Sequence, residues 1–112
     1  MNKSLATLTT ELMRLKVLQA LLYAVEYTLD LELLCDHLVI SVQQLTEHAV
    51  WLEENGLVSL DQVDGVISVQ MSRKGRDVAL GRDLMTGVRR PDPKASLMSL
   101  NAQLVKTAMS GS

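Results

Sequence analysis

Between Ser41 and Met71 a helix signal runs without a break into a hairpin signal, a succession that few small folds accommodate. Ser41 and Gln44 stand at the S-x-x-Q spacing of a capping box, in which each side chain satisfies a backbone N–H that the first helical turn leaves unpaired. Val42, Leu45, Ala49 and Leu52 recur at helical spacing and predict one buried face, and Gly56 predicts the left-handed stop. Leu57 to Leu60 and Val66 to Met71 are apolar, partly β-branched runs, and the loop between them ends in Asp64-Gly65, a strong hairpin signal. Helix, glycine, strand, tight turn, strand is the second half of a winged helix-turn-helix. The expected fold is therefore mainly α with a small β-hairpin, a winged helix-turn-helix followed by a C-terminal extension.

The flanking segments complete that pattern. Leu5, Leu8, Leu12, Leu15, Leu18, Leu22 and Val25 recur at steps of three or four and predict a long first helix from Ser4 to about Val25. Met13, Val17, Ala20, Leu21 and Ala24 widen its apolar stripe beyond one buried face. Two readings follow: a central helix wrapped on two sides by its own domain, or a homodimer seam containing Met13, Val17 and Leu21. Tyr27-Thr28-Leu29 is β-prone and suits a short first strand, Asp30 suits an N-cap, and Leu31, Leu33, Leu34 and Leu38 predict a second helix that turns at Val39-Ile40. Ser72 caps a further helix carrying Val78, Ala79 and Leu84, weakened by Gly75 and Gly81. The winged-helix domain is expected over residues 1–86. A basic linker follows over 87–94, where Pro91 and Pro93 hold the backbone extended. Residues 95–112 are expected to form an amphipathic helix or a flexible tail, with Leu97, Leu100 and Leu104 on one face; an isolated helix of that length is marginal in water.

The chain has 112 residues, 47% of them hydrophobic, with no Phe, so its single modest core must be built from Leu, Val, Ala and Met. A net charge of −2 conceals a strong asymmetry: residues 17–72 hold nine carboxylates and no Lys or Arg, whereas Arg73, Lys74, Arg76, Arg82, Arg89, Arg90 and Lys94 follow within a short span. The lone Cys35 offers no internal disulfide and fits a reducing compartment. Nowhere do about 18 apolar residues run together, and the N-terminus lacks an uninterrupted apolar region. The expectation is a cytoplasmic protein with no membrane partner.

Chemistry-bearing constellations are sparse. Cys35 and His37 point to different sides of one helix, and with His48 they fall short of the four ligands of a structural zinc site. No Gly-rich phosphate loop and no nucleophile with its base stands out, so neither an enzyme nor a cofactor is expected. For nucleic acid, the third helix is the groove reader of this fold. Gln43, Gln44, Glu47, Trp51 and Glu54 fall on its expected outward face, and Gln43 and Gln44 suit adenine readout. Glu47 and Glu54, with Asp61 and Asp64 in the wing, oppose a phosphate lattice. The basic residues from Arg73 to Lys94 are then the candidate phosphate contacts, against the plainer reading of a solvated face and a charged linker. Trp51 either packs under a neighbouring segment or marks a protein interface.

Three blocks taken together carry a resemblance: Trp51-Leu52-Glu53-Glu54-Asn55-Gly56-Leu57-Val58, Ser72-Arg73-Lys74-Gly75-Arg76-Asp77-Val78-Ala79-Leu80-Gly81-Arg82, and Gly87-Val88-Arg89-Arg90-Pro91-Asp92-Pro93. In order and spacing they resemble a family of small winged-helix proteins of Mu-like phages and prophages, often labelled as similar to ArsR-type regulators. The resemblance implies a phage or prophage protein in a bacterial host, acting as a DNA-binding accessory or regulatory protein. The acidic third helix supports an alternative from another class: an interaction module on a winged-helix scaffold, contacting a second copy or another phage protein through the first helix, Trp51 and the tail.

Overall fold

The computed structural model describes residues 3–92. The expectations for Lys94, Leu97, Leu100, Leu104 and the segment 95–112 lie outside the described residues. In chain order the elements are α1 (Leu5–Leu22), a short 3-10 turn (Val25–Tyr27), β1 (Thr28–Asp30), α2 (Leu31–Leu38), α3 (Val42–Glu54), β2 (Val58–Val63), β3 (Val66–Met71) and α4 (Arg73–Ala79). The sheet is antiparallel with order β1-β3-β2, so the hairpin β2–β3 forms the wing and β1 pairs with its inner strand. The winged helix-turn-helix is complete within these residues.

Local chemistry sets most boundaries. Ser4 Oγ accepts from Thr7 N–H at 3.1 Å and starts α1. The capping box of α3 is formed: Gln44 N–H donates to Ser41 Oγ at 3.1 Å and Ser41 N–H donates to Gln44 Oε1 at 3.4 Å. Asp64 (φ 52°) and Gly65 (φ 78°) both adopt left-handed backbone, as the two central residues of a type I′ hairpin turn require. Asp30 occupies the N-cap position of α2 without a capping side-chain bond, and Val39 (φ 56°) closes that helix in the left-handed region.

The core gathers Val17, Leu18 and Leu21 of α1, Leu34 of α2, Leu45 and Leu52 of α3, and Leu57 and Val69 of the hairpin, all without solvent exposure. Burying side chains of this size contributes about 1.5–3 kcal/mol each before the entropy of ordering them is set against it. Several expectations need correction here. Val17 and Leu21 lie inside the chain's own core and cannot line a seam on its surface; the wider stripe of α1 exists because the domain wraps the helix on two sides. Met13 is half-buried. Solvent instead meets α1 near its start, where Leu5 is 80% exposed.

The first helix also stops earlier than its periodicity suggests, at Leu22, and Val25 projects into solvent. Glu26 (φ 54°) and Tyr27 (φ 57°) are both left-handed, reversing the chain so that Thr28 reaches its partner Gln70 on β3. Leu84 lies beyond α4 and is exposed. The expected linker is partly docked: Val88 and Pro91 are buried, and Arg89 N–H donates to the Glu11 carbonyl of α1 at 3.2 Å. The packed chain therefore continues to Pro91. Among the described residues no helix is long and apolar enough to cross a membrane.

Candidate nucleic-acid interface

The third helix buries Leu45, Ala49 and Leu52 and exposes Val42, Gln43, Gln44, Thr46, Glu47, Val50, Glu53 and Glu54. Val42 was expected in the buried stripe. As the first helical residue it precedes the turn that meets the core, which begins at Leu45. Gln43 is exposed, whereas the exposed Gln44 side chain is engaged through its carbonyl in the cap, which leaves its NH2 group outward. Glu53 is exposed but engaged: its carboxylate accepts the Leu60 N–H at 2.9 Å, joining α3 to β2. Glu47 and Glu54 remain as exposed acids, and the wing adds exposed Asp61 and Asp64. No cation on α3 or the wing offsets them.

Trp51 turns away from that face. The Arg14 guanidinium lies 3.8 Å from its ring centroid, and Arg14 Nη1 donates to the Gly87 carbonyl at 2.9 Å. A Cβ on Gly87 would come within 2.6 Å of Trp51 Cζ2, so the docked segment lies flat on the indole. The Trp is thus half-buried between α1 and the chain beyond α4, as the packing alternative expected, and its role as a surface anchor is correspondingly reduced. Sequence periodicity could not find Arg14 as the partner, because neither the ring nor Gly87 is near it in the chain.

The basic candidates divide into separate neighbourhoods. Lys74 Nζ donates to the Asn55 carbonyl at 3.2 Å, at the end of α3. Arg73, Arg76 and Arg82 line a cavity with Tyr27 and Leu22 at the end of α1. Arg89 and Arg90 are exposed on the docked segment beside Glu11, whose side chain is held by Lys3 at 2.8 Å. Cys35 is buried, and among the described residues no group of three His, Cys, Asp or Glu side chains converges as a metal site would require.

His48, half-buried on α3, has its pKa lowered, first by burial and then by the Arg14 charge, with Glu47 opposing. The unfolded chain therefore binds the proton more readily than the folded one, and stability rises with pH across the interval between the two values. The His48 contribution is expected to be fully present above about pH 6.5, the ordinary imidazole value, and to fade as pH falls toward the lower folded value. Urea midpoints of the wild type should drop more between about pH 7.5 and pH 5 than those of His48→Gln. Equal drops would remove His48 as the source.

No protein-family model matches the chain. A segment of 45 residues is 42% identical to an uncharacterised protein of Escherichia phage Mu, gp26, covering 40% of this chain and 47% of that protein. The chain thus spans about half the length of this curated relative. Solved structures share the fold at lower identity. Sco5413, a MarR family transcriptional regulator from Streptomyces coelicolor, superposes with a TM-score of 0.59 at 22% identity over 88% of this chain and 73% of its own. Sco3205, a MarR family regulator of the same organism in complex with DNA, gives 0.54 at 18% over 87% and 66%. AbsC, a third MarR family regulator from that organism, gives 0.56 at 18% over 89% and 75%. These likenesses establish the winged-helix fold.

Proposed function

We propose that this chain is a DNA-binding regulatory or accessory protein, without enzymatic activity, of a Mu-like phage or prophage. The observation that carries the reading is α3, braced from behind by the core and presenting Gln43 and Thr46 to solvent beside the β2–β3 wing. Support comes from the shared fold of transcriptional regulators, one of them solved on DNA. The phage context rests on the three sequence blocks and on the Mu relative. In this reading Gln43, and the NH2 group of Gln44, meet base edges. Lys74, Arg89 and Arg90 supply phosphate contacts that the acidic helix does not.

Fluorescence anisotropy against random duplex DNA tests it. With about three phosphate contacts, counterion release weakens binding roughly fortyfold between about 50 and 200 mM salt. Arg89→Glu with Arg90→Glu should abolish the remaining affinity, and both sites are exposed, so the fold should persist. Absence of binding at the lower salt would displace this reading in favour of the interaction module. That second reading is favoured by the acidic surface of Glu47, Glu54, Asp61 and Asp64, and by exposed Leu5 and Leu8 at the start of α1, where a second copy or another phage protein would dock.

A further inference from the structure

Behind the wing, α4 and the loop after it arrange three arginines around one recess. Arg73 and Arg76 stand three apart on α4, so their side chains leave the same face of the helix. Arg82 is returned to that face by the end of the helix. Gly81 (φ 77°) takes the left-handed position, Gly81 N–H donates to the Val78 carbonyl at 3.1 Å, and Arg82 N–H donates to the Asp77 carbonyl at 2.8 Å. This paired closure is a Schellman motif, which a side chain at Gly81 would disfavour. The recess that the three guanidinium groups line has a volume of about 460 Å³, with Tyr27, Leu22 and Leu80 as its apolar wall.

Three features distinguish it from a solvated basic face. The Arg76 guanidinium is stacked 4.6 Å from the Tyr27 ring centroid, which fixes its plane before any ligand arrives. Arg76 Nε is buried and has no hydrogen-bond acceptor, leaving a charged donor unsatisfied, an arrangement that ordinarily costs about 1–3 kcal/mol or more. Tyr27 itself holds left-handed backbone (φ 57°), a conformation that for an aromatic residue costs about 1–3 kcal/mol and tends to be kept at binding sites. One carboxylate, Asp77, shares the wall, yet none of the three arginines has an ion-pair partner among the described residues. The local balance is a surplus of positive charge with planar, forked donors, the geometry that recognises tetrahedral oxyanions.

We propose that Arg73, Arg76 and Arg82 form a binding site for a phosphoryl group, with Tyr27 flanking the body that carries it. Arg76 is the fixed donor, and Arg73 and Arg82, both exposed, close over the ligand from either side. The recess exceeds the size of a bare phosphate, which suits a phosphate ester whose remaining atoms lie against Leu22 and Leu80. The phosphoryl group has two possible sources, a free phosphorylated molecule or the backbone of a nucleic acid, and the chemistry at the arginines is the same for both. The site does not depend on DNA readout by α3.

The test is a titration of the isotopically labelled full chain with inorganic phosphate at constant ionic strength, following the Arg76 Nε–H resonance. The expected result is a saturable shift that chloride does not reproduce, and that Arg73→Ala with Arg82→Ala weakens roughly tenfold. Arg76→Lys keeps the charge and loses both the planar fork and the Nε–H reporter, so it is followed through the backbone amides of Gly81 and Arg82; their saturable response should be abolished while the remaining spectrum stays folded. An identical response to chloride, or unchanged titration of the double variant, overturns the site. A short DNA duplex forms the second arm. Displacement of bound phosphate, with the same resonance moving, upholds the site and assigns the phosphoryl group to nucleic acid. Phosphate binding without any duplex binding upholds the site for a free ligand and removes the DNA reading.

Discussion

Gly75→Ala is expected to destabilise the chain by roughly 3 kcal/mol or more, the upper range of overpacking in a closed core. On an open helix the same change would be favourable by about 1 kcal/mol, since alanine is the better helix former. The sign reverses because Gly75 is buried where α4 crosses the base of the wing. A Cβ there would overlap the Leu57 carbonyl oxygen and come within 2.8 Å of Met71 Cγ. The methionine can move, but the carbonyl cannot. Leu57 O accepts the Ser72 N–H at 3.0 Å, while Ser72 Oγ donates to Gly56 O at 2.6 Å and accepts the Gly75 N–H at 3.0 Å. Relief of the overlap must therefore loosen the joint between hairpin and helix. Chemical denaturation should show a large fall in midpoint with little change in slope. An unchanged or raised midpoint would mean that α4 does not pack this closely on Leu57.

That joint also shows what the sequence does and does not disclose. Signals that act within a few residues were legible: the Ser41–Gln44 box, the Asp64-Gly65 turn and the Ser72 cap stand where local chemistry places them, and the short strand expected over Tyr27-Thr28-Leu29 forms one residue later, at Thr28–Asp30. Gly75 read as a weakness in a helix, because the carbonyl that excludes a side chain belongs to a residue eighteen positions earlier. Trp51 fell on the outward face of a helical wheel for a similar reason. Its cover comes from Arg14 and Gly87, which a periodicity within α3 cannot register. The stripe on α1 was correctly seen as too wide for one face, yet only packing decides that Val17 and Leu21 meet the chain's own sheet and helices. For the site, residue types and charge were readable, and the recess that unites Arg73, Arg76 and Arg82 with Tyr27 was not, since it depends on the reversal at Glu26 and Tyr27.

Leu52→Ala should cost about 2–5 kcal/mol, a large part of the roughly 5–15 kcal/mol that holds a domain of this kind together. Leu52 has no solvent exposure, and its carbonyl accepts the Leu57 N–H at 2.9 Å, at the point where α3 leaves for the wing. Removing its branched end leaves a void between α3 and the remaining core, which close packing can fill only by shifting the helix. Val42→Ala is the informative companion. Helical spacing assigns both residues to one stripe, but Val42 is 53% exposed, so its truncation should change stability by less than about 0.5 kcal/mol. The two denaturation midpoints therefore separate a helix whose core contact begins at Leu45 from one buried from its first residue. In the proposed DNA-binding reading the same shift of α3 displaces Gln43, so whatever duplex binding the wild type shows should fall in Leu52→Ala, measured where the variant is still folded, and persist in Val42→Ala. Comparable losses of stability in both variants would place Val42 in the core and rotate the exposed face of α3 away from Gln43.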